Sequence, residues 1–136
     1  MSLELPIRPS AANDAPPEGR FDGVLVRENI AFAEVVHVFG ELDVTSASEL
    51  YDAIEDAART GTTVVVDLEP CRYLDSSTLS VLTRASHAYA GRFLILVPAH
   101  CPARRLFAVT SLLELLPVIG SLDASIADVA LHVNAA

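Results

Sequence analysis

The chain contains no lysine: all nine of its basic residues are arginine. That absence excludes chemistry needing an ammonium group in place, namely a Walker-type phosphate loop, a Schiff-base enzyme, or a receiver domain with a lysine beside its acceptor aspartate. Cysteine is scarce as well. Cys71 and Cys101 are too few for a disulfide framework and lack zinc-site spacing, so they read first as small buried hydrophobes. Although 51% of residues are hydrophobic, Glu114, Asp123 and Asp128 break the C-terminal apolar tract, and no run is long enough to cross a bilayer. A basic stripe is missing too. With a formal net charge of −9, the chain is a poor ligand for DNA or RNA, and a protein partner with a basic face suits it better. The first twenty residues lack the basic start and apolar stretch of a secretory signal and carry four prolines. The expectation is a loose tail over residues 1–20 ahead of a single domain over 21–136, in a cytoplasmic protein.

What is present is an alternation of strand-like and helix-like segments. "GVLVRE" and "IAFAEVVHVFG" are β-rich runs separated around Asn29, which suggests an antiparallel pair. In "VTSASELYDAIEDAART" the apolar residues Ala47, Leu50, Ile54 and Ala57 recur at three- and four-residue steps, the pattern of an amphipathic helix. Asp43, Thr45 and the Ser46/Glu49 pair all signal its start. "TTVVVDL" and "RFLILVP" are apolar on both faces, as strands covered by helices are, and the first belongs in the middle of the sheet. A second helix fits Ser76 to about Ala90, with Leu82, Ala85 and Tyr89 on one face and Gly91 as its stop. Pro102 starts a third that "TSLLELL" continues or restarts, "PVI" reads as an edge strand, and "SLDASIADVALHV" as a last helix. The sum is an α/β domain with a mixed sheet of four to five strands and about four helices. Its loops around Asp43, Ser76 and Cys101 gather at one edge.

The segment "LDSSTLS", Leu74 to Ser80, leaves two readings open. Asp75 or Ser76 caps a helix; or the hydroxyl of Ser76 is a modification site, where a phosphate would meet the positive end of the helix dipole. Such a phosphate would add about −1.5 to −2 charges beside Asp75 and Asp43, and repel a partner docked there. "GELDVTSASEL" (Gly40 to Leu50), "VVVDLEPCRYLDSSTLSVL" (Val64 to Leu82) and "PARRLFAVTSLLELLPV" (Pro102 to Val118) resemble the signature regions of bacterial anti-sigma factor antagonists. Those proteins share the STAS fold with the cytoplasmic domains of sulfate transporters. The resemblance implies a STAS fold with helices mainly on one face of the sheet, and a partner that is an anti-sigma factor with serine kinase activity. It implies phosphorylation at Ser76, and partner recognition by Asp43, Asp75, Ser76, Ser77 and Thr78. One departure stands out: the family commonly has glycine two places after the acceptor, where this chain has Thr78, a β-branched residue that puts bulk beside the acceptor.

Other constellations are weaker. Cys71 after the third strand and Cys101 after the fourth sit on parallel neighbours about 4.8 Å apart, within reach of a regulatory disulfide, although free thiols are the default in a reducing compartment. A hydrolase built on Ser76 would need a base from His37, His87, His100 or His132, and His87 lies about 16 Å along the helix from it. Asp67 reads as the holder of a loop at a strand's end, Arg104 and Arg105 as solvated helix residues or, alternatively, as contacts for an acidic partner. The chain is therefore read as a regulator and not an enzyme, without metal or cofactor, monomeric or weakly dimeric. The alternatives are a ligand- or nucleotide-sensing STAS domain of a transport or lipid-trafficking complex, or a scaffold component of a stress-signalling assembly.

Overall fold

Val64, Val65 and Val66 are all wholly buried, although successive side chains of a strand face opposite sides of its sheet. Only a strand covered on both faces satisfies that. The computed structural model describes residues 24–121. In chain order they form β1 (Val24–Ile30), β2 (Ala33–Leu42), α1 (Val44–Ala58), β3 (Thr63–Asp67), β4 (Cys71–Leu74), α2 (Ser76–Ala88), β5 (Phe93–Leu96), α3 (Pro102–Val109), α4 (Leu112–Leu115) and β6 (Val118–Ile119). β3 is central in the order β1-β2-β3-β5-β6, and β4 pairs with β2 off this path. β1 and β2 run antiparallel, while all other pairings are parallel, so the sheet is mixed as expected. The expected tail and the expected last helix lie outside the described residues.

Two details depart from the sequence reading, and a third settles an alternative it left open. The sheet has six strands, because Cys71–Leu74 pairs with the far end of β2. Its residues run buried, exposed, exposed, buried, a pattern that hides the two-residue period by which a strand is recognised. The hairpin turn falls on Ala31 and Phe32, since Asn29 and Ile30 stay in the ladder opposite Glu34 and Ala33. Of the two courses expected after Pro102, the helical segment restarts: Ser111 has φ 64°, a left-handed backbone that separates α3 from α4.

β2 serves two neighbours. Its first half pairs with β3, then the register shifts between Gly40 and Glu41 and its last residues pair with β4. Gly40 has φ 84°, the conformation such a bulge demands and glycine supplies without a Cβ penalty.

The helices bury the faces their spacing indicated. Ala47, Leu50, Ile54 and Ala57 of α1 are buried, as are Leu82 and Ala85 of α2, and Tyr89 packs against the same cluster. This cluster also takes Phe107 of α3. A second, smaller cluster consists of strand residues alone, among them Ala33, Val35, Val65, Leu94 and Leu96. The described helices thus lie on one face of the sheet. Arg27 of β1 ties α1 down from the sheet edge, pairing with Glu34 at 2.9 Å and Asp56 at 2.6 Å.

Candidate functional site

The parallel register of β2 and β4 determines the site. Leu42 is the partner of Leu74, so the residues that follow, Asp43 and Asp75, leave the sheet side by side. Each caps a helix. Asp43 Oδ1 accepts from the amides of Thr45 and Ser46 at 3.0 and 3.1 Å and from the Ser46 hydroxyl at 3.3 Å. These bonds, led by the Ser46 amide, hold its carboxyl below the usual carboxylate range. Asp75 Oδ1 accepts from the Thr78 amide at 3.2 Å. The capping residue of α2 is therefore the aspartate, which leaves Ser76 as the first residue of the helix, exposed to solvent. Two helix N-termini, with their dipoles' positive ends, lie next to one exposed hydroxyl.

Ser77 is half-buried beside it. Thr78 is different: it is wholly buried, and its hydroxyl donates to Asp75 Oδ1 at 3.4 Å. It supports the cap from below and offers no side chain to a partner, which corrects its expected place among the contact residues. A groove of about 650 Å³ opens next to Ser76, between the β4–α2 junction and α3. Asp75, Ser76, Pro102 and Arg105 share its lining, so the loop after β5 does reach the Ser76 edge.

The two cysteines are both free and buried in the helix-side core. Burial pushes the Cys71 thiol up to about 11, which disfavours the thiolate on which disulfide exchange depends. Arg104 is structural, donating from Nη1 to the Val97 carbonyl at 2.7 Å, whereas Arg105 is exposed. Asp67 holds the loop after β3 by accepting from the Glu69 amide at 2.9 Å.

Asp67 has a second role that the sequence did not disclose. Its Oδ2 lies 2.6 Å from His37 Nδ1, while Glu28 Oε1 lies 2.7 Å from His37 Nε2, so one imidazole joins β1, β2 and β3. Burial works to lower its pKa, but the hydrogen bonds to Asp67 and Glu28 prevail and raise it. With both nitrogens bound to carboxylates, His37 has no free position to act as a base. His100 pairs with Glu69 at 3.0 Å, and His132 lies outside the described residues. Among the described residues no group of three histidine, cysteine, aspartate or glutamate side chains is arranged to hold a metal ion. No described helix is long and apolar enough to cross a membrane.

The model of the STAS domain matches residues 24–127. The chain belongs to the STAS domain family. Among solved structures, this STAS domain is similar to an anti-sigma factor antagonist from Mycobacterium paratuberculosis. The TM-score is 0.68 at 24% identity, over 79% of this chain and 93% of that one. The anti-sigma factor antagonist SpoIIAA in its unphosphorylated form matches with a TM-score of 0.55 at 22% identity, over 77% of this chain and 96% of its own. The Bacillus cell fate determinant SpoIIAA in the phosphorylated form gives 0.54 at 23% identity, over 77% and 97%. None of the curated proteins compared with the STAS domain matches it. Identities this low establish the shared fold.

Proposed function

We propose that this STAS domain is an anti-sigma factor antagonist: it binds an anti-sigma factor with serine kinase activity, frees a sigma factor, and is turned off by phosphorylation of Ser76. The observation that carries this reading is the exposed Ser76 hydroxyl on the first turn of α2, directly after the capping Asp75 and beside the capping Asp43. In the modification the γ-phosphoryl group of ATP passes to Ser76 Oγ. The new O–P bond replaces the bond to ADP, and the hydroxyl proton leaves to a base on the kinase. Both flanking carboxylates already spend an oxygen on their helix caps, so a phosphate at Ser76 is tolerable to the free domain while a docked partner meets an added anion. Asp43, Asp75 and Ser77 are the recognition residues around it. The domain acts by binding and performs no chemistry of its own.

The test is incubation of the full chain with candidate anti-sigma kinases and ATP, followed by peptide mapping, with Ser76→Ala and Ser76→Glu compared for complex formation. Alanine should preserve the complex and glutamate weaken it about tenfold or more, equivalent to 1.4 kcal/mol per decade. Equal affinity of the two variants would refute a charge switch at this position.

A further inference from the structure

The groove beside Ser76 has an arginine on its opposite side that no other described residue engages. Pro102, Arg105, Leu106 and Val109 recur at three- and four-residue steps, so one face of α3 lines the groove, and Asp75, Ser76 and Leu79 line it from the β4–α2 junction. Arg105 is exposed, and no hydrogen bond, ion pair or ring contact holds its guanidinium among the described residues. A local partner is excluded by sequence: α3 reads PARRLFAV and carries no acidic residue one turn away. The adjacent Arg104 is committed, donating from Nη1 to the Val97 carbonyl at 2.7 Å. Arg72, in the same lining, already has an interaction of its own. The carboxylate of Asp75 is occupied as well, its Oδ1 accepting from the Thr78 amide and hydroxyl. The unmodified lining is thus close to neutral, with one guanidinium that lacks an acceptor.

We propose that a phosphate on Ser76 is clamped by Arg105, so that modification straps the first turn of α2 to α3 and closes the groove between them. The inference rests on the antagonist reading and specifies how its switch is held. A phosphate bonded to Ser76 Oγ needs no net positive groove to recruit it, because the chain itself delivers about −1.5 to −2 charges and three acceptor oxygens to the cavity that Arg105 lines. The planar guanidinium fork matches phosphate geometry, and such charge-assisted bonds are roughly twice as strong as neutral ones. The clamp makes and breaks no covalent bond. Beneath it lie Leu79, Leu106 and Val109, the last 71% exposed in the unmodified chain. Closing the strap shields them, so the modification withdraws a surface from a partner besides adding charge.

The probe is the full chain with phosphoserine installed at position 76 during translation, which requires no kinase. Phosphorus NMR follows the second ionisation of the phosphate, ordinarily near pH 6, in otherwise wild-type chain and in Arg105→Gln, Arg105→Lys and Arg84→Gln. A guanidinium on the phosphate favours the dianion, whereas the neighbouring Asp75 opposes it equally in every variant. Arg105→Gln should therefore raise the midpoint by about half a unit or more, and Arg105→Lys, which keeps the charge but not the fork, by less. Arg84 lies eight residues along α2 from Ser76, about 12 Å, so Arg84→Gln at 0.15 M salt should leave the midpoint in place. Phosphorylation should also slow amide exchange in α3, and Arg105→Gln should cancel that slowing. An ionisation indifferent to Arg105, a shift of equal size from Arg84→Gln, or exchange in α3 that ignores the phosphate would overturn the clamp. If anti-sigma kinases modify Ser76 and its phosphate ignores Arg105, this inference alone fails. If no such kinase modifies Ser76 while the installed phosphate is held by Arg105, the clamp stands and the antagonist reading falls.

Discussion

Removing the imidazole of His37 should abolish a pH dependence of stability that the wild-type domain shows above pH 6.5. The ring is held between Asp67 at 2.6 Å and Glu28 at 2.7 Å, and its pKa is raised from 6.5 in the folded state. A raised folded pKa means that the native state keeps a proton the unfolded chain gives up. The stabilisation is therefore complete below about pH 6.5 and is lost as pH climbs through the folded value. Deprotonation leaves one nitrogen without a hydrogen to donate, so one of the two bonds is forfeited. Asp67 is only 8% exposed in its side chain and Glu28 56%. A charge-assisted bond to the buried partner contributes about 1.5–3 kcal/mol, and the solvent-screened one about 0–1 kcal/mol. The neutral ring keeps the tautomer that donates to Asp67, so the wild type should lose about 1 kcal/mol, through the bond to Glu28 and the lost attraction of both carboxylates. With a urea slope of about 1–3 kcal/mol per molar, that moves the unfolding midpoint down by a few tenths of a molar to about 1 M. The assay is urea unfolding at closely spaced pH values for wild type and His37→Gln. The difference between the two curves cancels the exposed histidines and isolates this ring. A midpoint difference that stays constant or grows from pH 6 to pH 9 would refute the clamp.

Two substitutions probe the backbone around the site. Thr78→Gly restores the residue type common in the family, but it deletes a wholly buried side chain and its bond to Asp75. It should cost about 1–3 kcal/mol by urea unfolding, while the rate of Ser76 phosphorylation stays within a few-fold of wild type; acceleration beyond tenfold would show that bulk at position 78 obstructs the acceptor. Ser111→Gly relieves the left-handed backbone between α3 and α4. The Cβ penalty of about 1–2 kcal/mol outweighs the extra unfolded-state entropy of glycine, about 0.5–1 kcal/mol, so the midpoint should rise; a fall would mean that the serine side chain is needed there.

The sequence disclosed whatever was local and periodic. Ala47, Leu50, Ile54 and Ala57 announced α1 because a helix repeats its buried face every three to four residues, and the valines of β3 announced a central strand because both faces must be apolar. It also drew Asp43 and Ser76 to one edge from the order of elements alone. What stayed hidden depends on register or on long-range packing. Asp75 and Ser76 are equally good caps by composition, and only the Thr78 amide at 3.2 Å distinguishes them. The buried face of Thr78 follows from the phase of α2, which one residue of error at the helix start obscures. β4 has too few residues to display a period, and without β4 neither the Leu42–Leu74 register nor the groove against α3 can be drawn. The His37 clamp needs three strands in phase, with partners nine residues before and thirty after it in the chain.

Because β2 changes neighbour at Gly40, the strand behaves as a beam clamped at one end. Its first half is pinned inside the five-strand path, and among the described residues Glu41 and Leu42 at its end pair with β4 alone. Asp43, Asp75 and Ser76 all ride on that pairing. The edge proposed for recognition can consequently flex while the valine-packed centre stays still, and amide exchange should rank β4 well ahead of β3.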